Sequence, residues 1–193
     1  SAAEDIDETI LDAAMTEFAD RGFHDTAVSA IADRAGVGKG TVYRHFGKKH
    51  RLFGALLEQA THQLRESIQE VYRTTDDPEQ QVKGIYRAHV KMFDQARPLI
   101  ALIVNEGLDQ TGDLKSEIVA EWETYTDLVT KAFEAGVKQR VFRQSQPRKL
   151  SRLFLSWIWG TLRSSIIFSE PNPDQRFGDL LIDMFLKGLK DTS

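Results

Sequence analysis

Cysteine is absent from this 193-residue chain, so disulfides and thiol chemistry play no part in its fold or function. No run of about 18 apolar residues, the minimum for a membrane-spanning helix, occurs in it. A signal-peptide pattern, internal repeats and low-complexity segments are also missing. We therefore expect a soluble, cytoplasmic protein.

The spacings that carry enzyme or metal chemistry are missing as well. The sequence has no nucleophile and base at a catalytic spacing, no cluster of metal ligands and no glycine-rich phosphate loop. His89 has no second histidine four residues away, the spacing at which two imidazoles on one helix face bind a metal. We expect neither an enzyme nor a cofactor or metal site.

Acidic residues are absent from residues 34–57, although the whole chain carries a formal net charge of −4. The same segment contains six Lys or Arg residues and two His residues. A basic surface confined to one part of an acidic chain is typical of a phosphate-binding surface. The remaining residues then have a different task.

Residues 26–51, TAVSAIADRAGVGKGTVYRHFGKKHR, have the pattern of two short helices joined by a glycine turn. Thr26 is a candidate N-cap for the first helix and Gly36 is its expected end. The second helix, residues 39–46, has Val42 and Phe46 on its inner face. A preceding amphipathic helix completes a shared core with Ile6, Ile10, Ala14 and Phe18. This is the layout of a helix-turn-helix, in which the second helix enters the DNA major groove.

These residues resemble the DNA-binding domain of TetR-type transcriptional regulators. The resemblance covers about the first 55 residues. It rests on Gly22, Phe23, Thr26, Ile31, Ala32, residues 35–37, residues 39–46, Lys48 and Lys49. Gly38 stands where the family often has serine, and residues 48–51 are more basic than is common. Neither departure changes the assignment, because glycine is an acceptable N-cap.

The resemblance implies an all-α protein of about nine helices in two domains. Residues 1–50 would form a three-helix DNA-binding domain, and residues 51–193 a helical effector-binding and dimerisation domain. Helical periodicity agrees, since strand-like alternation is absent after residue 50. The predicted helices of this part are residues 49–73, 78–96, 98–108, 113–140, 146–168 and 174–190.

The exposed face of the second short helix carries the expected DNA contacts. Lys39 and Arg44 are candidates for base readout, since both side chains reach O6 and N7 of guanine. Gly40 either lets the backbone approach a base closely or is simply tolerated in a short helix. Tyr43 is a phosphate contact or a partly buried core aromatic, and Lys49 is a phosphate contact or a solvated charge. The remaining candidates are Ser29, Thr41, His45 and Lys48.

The last two predicted helices are apolar around most of their circumference, which an exposed helix of a monomer does not tolerate. In TetR-like proteins the corresponding helices pair across a two-fold axis, so the resemblance implies a homodimer; the alternative is a thick monomer core. A dimer would place two recognition helices about 34 Å apart on palindromic DNA. The candidate interface residues are Leu150, Leu153, Ile158, Leu162, Phe177, Leu181, Met184 and Phe185.

The middle helices of such regulators enclose a small-molecule effector. Candidate lining residues are mostly apolar or aromatic, which favours a hydrophobic effector, although the same pattern also fits an ordinary core. They are Tyr86, His89, Met92, Phe93, Asn105, Glu106, Trp122, Tyr125, Phe154 and Trp157.

These features predict a ligand-responsive transcriptional regulator. Its most direct form is a repressor that binds a palindromic operator as a homodimer and is released by a hydrophobic effector. The alternative is a TetR-like helical protein that binds a partner or a ligand and does not act through DNA.

Overall fold

The structure, a computed structural model, describes residues 2–106, 112–171 and 175–190. In these residues it contains nine α-helices and no β-strand beyond one isolated bridge between Phe142 and Lys190. In chain order they are α1 (Ala2–Arg21), α2 (Val28–Ala35), α3 (Lys39–Phe46), α4 (Lys49–Thr74), α5 (Pro78–Gln95), α6 (Arg97–Glu106), α7 (Gly112–Lys138), α8 (Pro147–Ile167) and α9 (Gln175–Leu189). The all-α class is confirmed, and the predicted helix ends agree with those observed to within about two residues where both are described.

The chain forms two compact units. The first contains residues 1–61 and 96–118, and the second contains residues 62–95 and 119–193. This division differs from the predicted boundary after residue 50. The reason is that Leu99, Leu102 and Ile103 of α6 belong to the same hydrophobic core as α1, so α6 packs with the N-terminal helices.

The core of the first unit is built around phenylalanine rings. Phe18 of α1 lies 5.3 Å from Phe23 and 6.1 Å from Phe53 of α4, measured between ring centroids. Ile31 of α2 and Val42 of α3 are buried in the same core. Aromatic rings at these distances stabilise a core beyond the effect of the apolar area alone. Helices α2 and α3 are thereby held on α1 and α4.

The α2–α3 turn follows the predicted pattern, but the start of α2 does not. Gly36 has φ of 68°, a left-handed conformation that glycine adopts without strain, and ends α2 as expected. The N-cap of α2 is Ala27, with no side-chain cap. Thr26 is buried and donates its hydroxyl hydrogen to the carbonyls of Glu17 and Gly22, 3.0 and 2.6 Å away. Thr26 therefore fixes the chain to the end of α1 and does not cap α2.

A charged pair also joins α1 to α2. The carboxylate of Glu17 is buried, and Nε of Arg34 donates a 2.7 Å hydrogen bond to it. This hydrogen bond is the main cause that lowers the pKa of Glu17, and Arg21 adds to it. Glu17 consequently stays ionised and paired at the junction of the two helices.

In the second unit a hydrogen bond joins α4 to α7, and a close contact holds the segment after α7 on that helix. The hydroxyl of Tyr72 in α4 donates to the carbonyl of Leu128 in α7, 2.7 Å away. Gly136 of α7 lies under Phe142, and a Cβ at Gly136 would come within 2.0 Å of the phenyl ring. Only glycine therefore fits at that contact. None of the described helices combines the length and hydropathy that spanning a membrane requires.

Helices α5 and α9 of this unit are joined by three ion pairs. They are Glu79 with Lys190 at 3.0 Å, Lys83 with Asp183 at 2.7 Å, and Arg87 with Asp179 at 3.0 Å. The hydrogen bond from Lys83 is the main cause that lowers the pKa of Asp183. The three pairs, spaced along both helices, fix the register of α9 on α5.

Candidate nucleic-acid interface and effector region

Helix α3 has one buried and one exposed face. Val42 is buried and Phe46 packs against the core of the first unit. On the other side Lys39, Gly40 and Arg44 are exposed. The buried face fixes α3 to the unit, so the exposed face is polar, basic and available to a partner.

Tyr43 belongs to this exposed face. Its side chain is 46% exposed, so Tyr43 is at most a partly buried aromatic at the edge of the core. The ammonium of Lys39 lies 5.7 Å from the centre of its ring, a cation–π distance. Arg44 makes a long contact with the hydroxyl of Thr41, 3.4 Å between Nη2 and Oγ1. The candidates for base readout are thus arranged beside a hydroxyl and a phenol that suit phosphate oxygens.

Gly40 is not required by the packing of the protein itself. Outside its own helix backbone and immediate neighbours, no described atom lies within 4 Å of the position that a Cβ would take. An alanine there would therefore fit the free protein. Both predictions for Gly40, close approach of the backbone to a base and simple tolerance in a short helix, are compatible with this open position.

His45 is tied to α1. Its Nδ1 donates to a carboxylate oxygen of Asp7, 2.5 Å away, across the junction of the two helices. This pairing was not visible in the sequence, because the two residues lie 38 positions apart. His45 therefore anchors α3 through one ring nitrogen, and only its other nitrogen remains for the predicted DNA contact.

Lys49 has a structural role that the sequence did not reveal. Its ammonium donates to the carbonyls of Phe23, His24 and Thr26 at 2.7, 2.9 and 2.9 Å, and it lies 4.8 Å from the centre of the Phe23 ring. An ammonium has three N–H donors, and all three are used here. Lys49 therefore holds the loop between α1 and α2 in place. This role differs from both predictions for Lys49, a phosphate contact and a solvated charge. Lys48 beside it and Ser29 on α2 are exposed.

His89 and Tyr125 form a buried polar pair in the effector region. Nδ1 of His89 lies 2.7 Å from the carbonyl of Ile85 and must donate to it, because a carbonyl only accepts. Nε2 then accepts the hydroxyl hydrogen of Tyr125, which lies next to it. Burial lowers the pKa of His89 to about 4, so the imidazole is neutral near pH 7.

Three other predicted effector residues lie in one aromatic cluster. Tyr86 stacks on Trp157 with ring centroids 5.8 Å apart, and Phe154 lies 6.2 Å from Trp157. Phe185 of α9 stacks on the same indole at 5.5 Å. Burial raises the pKa of the Tyr86 phenol, which therefore stays protonated. Phe185, predicted at the dimer interface, contributes to this interior cluster.

The other predicted effector residues are distributed. Phe93 is buried, with its ring 6.5 Å from that of Trp159, and Trp122 is half-buried. Met92 lines a groove of about 360 Å³ between α4 and α5. Asn105 is exposed in the first unit, and the side chain of Glu106 lies outside the described residues. Asn105 is thus not in the unit that holds the aromatic cluster.

The predicted dimer interface separates into exposed and buried residues. Leu153 of α8 and Met184 of α9 are 60% and 61% exposed, and Phe177 is also exposed. Leu150 and Leu181 are half-buried. Ile158 and Leu162 are only 2% and 3% exposed within the single chain, so they face its own core. Three further apolar residues of this region, Leu180, Ile167 and Phe168, are exposed although they are not among the predicted interface residues.

Among the residues that the structure describes, no group of three or more His, Asp or Glu side chains is placed to hold a metal ion.

Two family models match the chain. Residues 10–56 match bacterial regulatory proteins of the tetR family, and residues 75–163 match the C-terminal domain of tetracyclin repressor-like proteins. Together the matches cover more than half of the chain and both of its functional regions.

The curated relatives include a transcriptional activator and a transcriptional repressor. The transcriptional activator FasR of Mycolicibacterium smegmatis is 30% identical over 120 residues, which are 62% of this chain and 55% of FasR. The transcriptional repressor KstR2 of Rhodococcus jostii is 27% identical over 153 residues, 77% of this chain and 75% of KstR2. The chain thus spans about half the length of FasR and three quarters of KstR2.

Solved structures share the fold. FadR of Bacillus subtilis, in complex with stearoyl-CoA, superposes with a TM-score of 0.79 at 20% identity, over 96% of this chain and 98% of FadR. AibR, in complex with isovaleryl coenzyme A and operator DNA, superposes with a TM-score of 0.68 at 21% identity, over 96% and 98% of the two chains. At these identities the likeness shows the fold alone.

Proposed function

Because the chain belongs to the tetR family of bacterial regulatory proteins, we propose that it binds a palindromic operator as a homodimer and represses transcription until an effector binds. As a member of this family it is a DNA-binding transcriptional regulator and not an enzyme. Operator DNA is reached in the cytoplasm, where we place the protein. The observation that carries the proposal is the exposed basic face of α3 on a buried apolar support.

In the proposed complex, some residues of the exposed face of α3 contact bases and others contact phosphates. Lys39 and Arg44 contact base edges, and Gly40 lets the backbone come close to them. Tyr43, Thr41 and Lys48 contact phosphates and set the register, together with Ser29. His45 holds α3 on α1 through Asp7, and Lys49 fixes the loop on which α2 begins. One helix of eight residues reads only a few base pairs, so a second copy is needed for a specific site.

Homodimerisation is proposed through α8 and α9. Leu153 projects from α8, and Leu180 and Met184 are exposed at the helical spacing of four on α9. Exposed large apolar residues repeated along two neighbouring helices are typical of an interface between copies. Two copies of each helix would then form a four-helix contact around a two-fold axis.

An acyl-CoA thioester is the effector class that we propose. AibR and FadR are described with acyl-CoA ligands, and the second unit contains a cluster of aromatic rings, Tyr86, Phe154 and Trp157, beside which an apolar acyl chain would find apolar contacts. The buried His89–Tyr125 pair adds one polar group beside this apolar interior. A site of mainly aromatic side chains with few polar groups is typical of a pocket for a hydrophobic ligand.

Coupling between effector and DNA is proposed to pass through α5, α9 and α4. Tyr86 of α5 belongs to the aromatic cluster, and ion pairs on either side of it hold α9, which carries the proposed dimer face. Helix α4 runs without interruption through both units. A coupling free energy of ~1–3 kcal/mol is sufficient for a useful switch. Effector binding would favour a dimer whose recognition helices no longer match successive major grooves.

Selection of bound DNA from a random pool tests the proposal. The expected product is a palindrome whose half-sites are about one helical turn apart and which binds two chains. Recovery of unrelated sequences, or of a single half-site bound by one chain, would contradict it.

A protein of this family that no longer acts through DNA is the second candidate. Salt dependence separates the two, because contacts from several lysines and arginines to phosphates make the logarithm of affinity fall steeply with the logarithm of salt concentration. A flat response would favour the second candidate.

A further inference from the structure

A groove between α4 and α5 lies wholly within the second unit and has no role in the function proposed so far. Its volume is about 360 Å³, at the lower end of the range of ~300–1,000 Å³ that is usual for small-molecule sites. Helix α4 contributes His62, Gln63, Glu66 and Ser67. Helix α5 contributes Ala88, Lys91, Met92 and Gln95.

The lining combines an apolar strip with amide groups and balanced charge. Ala88 is buried and Met92 half-buried, and they lie one helical turn apart on α5. Gln63 and Gln95 bring one side-chain amide from each helix. The groove also has one lysine and one glutamate, Lys91 and Glu66, whose charges balance each other. It therefore suits a long, neutral, amide-bearing ligand better than a polyanion.

The groove residues of α5 adjoin residues of the interior. Ala88 is followed by the buried His89, and Met92 by the buried Phe93. These two interior residues contact Tyr125 and Trp159. Helix α5 therefore carries both groove residues and residues of the region in which we place the effector.

We propose that this groove holds the pantetheine arm of an acyl-CoA effector, with the acyl chain in the aromatic interior. The inference rests on the proposed effector class. The pantetheine arm carries two amides and no charge, which matches the two glutamine side chains and the balanced charges of Lys91 and Glu66. The phosphates of coenzyme A would lie beyond one end of the groove.

Variants of the groove test the proposal by ligand affinity. The double variant Gln63→Leu/Gln95→Leu removes both amides at nearly constant size, and Ser67→Trp fills the groove. Gln144→Leu, at an exposed position of the second unit outside the groove, is the matched control. Isothermal titration calorimetry of the full-length protein would measure the affinity for stearoyl-CoA, isovaleryl-CoA and the corresponding free acids.

Both groove variants should bind acyl-CoA roughly tenfold more weakly than the unsubstituted protein does. A loss of this size is expected when two neutral hydrogen bonds are removed. The comparison uses whichever acyl-CoA the unsubstituted protein binds. Affinity for the free acids should stay within about twofold, and Gln144→Leu should behave as the unsubstituted protein. Equal acyl-CoA affinity in the groove variants and the control would overturn the proposal, and so would equal losses for acyl-CoA and free acid.

Failure of the groove and failure of the proposed function are distinguishable. If acyl-CoA releases DNA from the unsubstituted protein and from the groove variants at equal concentrations, the groove proposal is wrong and the effector class stands. If acyl-CoA binds through the groove without releasing DNA, the regulatory proposal fails and the groove assignment stands. If neither acyl-CoA binds to the unsubstituted protein, both are wrong.

Discussion

Nδ1 of His45 in the recognition helix α3 lies 2.5 Å from a carboxylate oxygen of Asp7 in α1. This hydrogen bond joins the helix that we propose to read DNA to the helix that supports it. The first unit therefore presents α3 in a fixed orientation before DNA binds. Preorganisation of this kind reduces the entropy cost of binding.

Substitution of Asp7 should weaken operator binding through the position of α3. Asp7→Asn retains a hydrogen-bond acceptor and removes the charge, whereas Asp7→Ala removes both. A single hydrogen bond is worth about 0.5–1.5 kcal/mol, so the alanine variant should bind DNA about 2- to 10-fold more weakly than the asparagine variant. Fluorescence anisotropy measures the difference, and equal affinities of the two variants would show that the contact does not position α3.

Lys48 and Lys49 should separate DNA binding from stability, although they are neighbours of the same charge. Lys49→Met removes three hydrogen bonds to loop carbonyls and should lower the free energy of unfolding by about 1–3 kcal/mol. Lys48→Met should weaken DNA binding and leave the unfolding midpoint unchanged. Thermal unfolding followed by circular dichroism gives the comparison. If Lys49→Met unfolds at the same temperature as the unsubstituted protein, the structural role of Lys49 is contradicted.

Gly40→Ala should raise or preserve stability while it weakens DNA binding. Alanine is favoured over glycine in a helix by up to about 1 kcal/mol, and the position has room for a methyl group in the free protein. The added methyl would prevent close approach to a base, at a cost of roughly tenfold in operator affinity. Unchanged affinity in a correctly folded variant would mean that Gly40 is merely tolerated.

His89 should make stability depend on pH. Its pKa is about 4 in the folded protein and 6.5 in its ordinary state, so the unfolded chain takes up a proton at a higher pH than the folded one. Stability is therefore complete above about pH 6.5 and is lost as pH falls towards 4, by up to about 3 kcal/mol. Denaturation from pH 7 to 4 should show a smaller loss for His89→Gln, and the full loss for the control His62→Gln. An equal loss in both would contradict the assignment.

The pair Leu153→Asp and Met184→Asp should convert the protein into a monomer. Both side chains are exposed in the single chain, so the substitutions place charge in the proposed interface without disturbing the core. Light scattering after size-exclusion chromatography should give the mass of one chain, and operator affinity should fall with it. The exposed Gln144→Asp serves as the control. A double variant that remains dimeric would locate the interface elsewhere.

Periodicity and glycine placement predicted the helices, and the family resemblance predicted their arrangement in two domains. The apolar spacing in α1, α2 and α3 placed Phe18, Ile31 and Val42 in one core, because side chains three or four residues apart share a helix face. Gly36 ended α2 for the conformational reason expected of it. The exposed face of α3 was predicted by the same periodicity, since Lys39 and Arg44 are placed opposite Val42.

Contacts between distant residues were not predictable from one sequence. Nothing local to Lys49 indicates that the carbonyls of residues 23–26 surround its ammonium, and Asp7 gives no sign of its pairing with His45. Apolar periodicity also cannot separate an interface from a core, and Ile158 and Leu162, which we predict at the interface, are almost fully buried within the single chain. Phe185, also predicted at the interface, is half-buried and stacks on Trp157.

The most direct test of the regulatory account is the affinity for the selected operator, measured by fluorescence anisotropy with and without saturating acyl-CoA. The account predicts a rise in Kd of roughly 5- to 150-fold, equivalent to a coupling of ~1–3 kcal/mol, with stearoyl-CoA or isovaleryl-CoA. It would be contradicted if both ligands bound the protein by calorimetry and left the Kd for the operator unchanged.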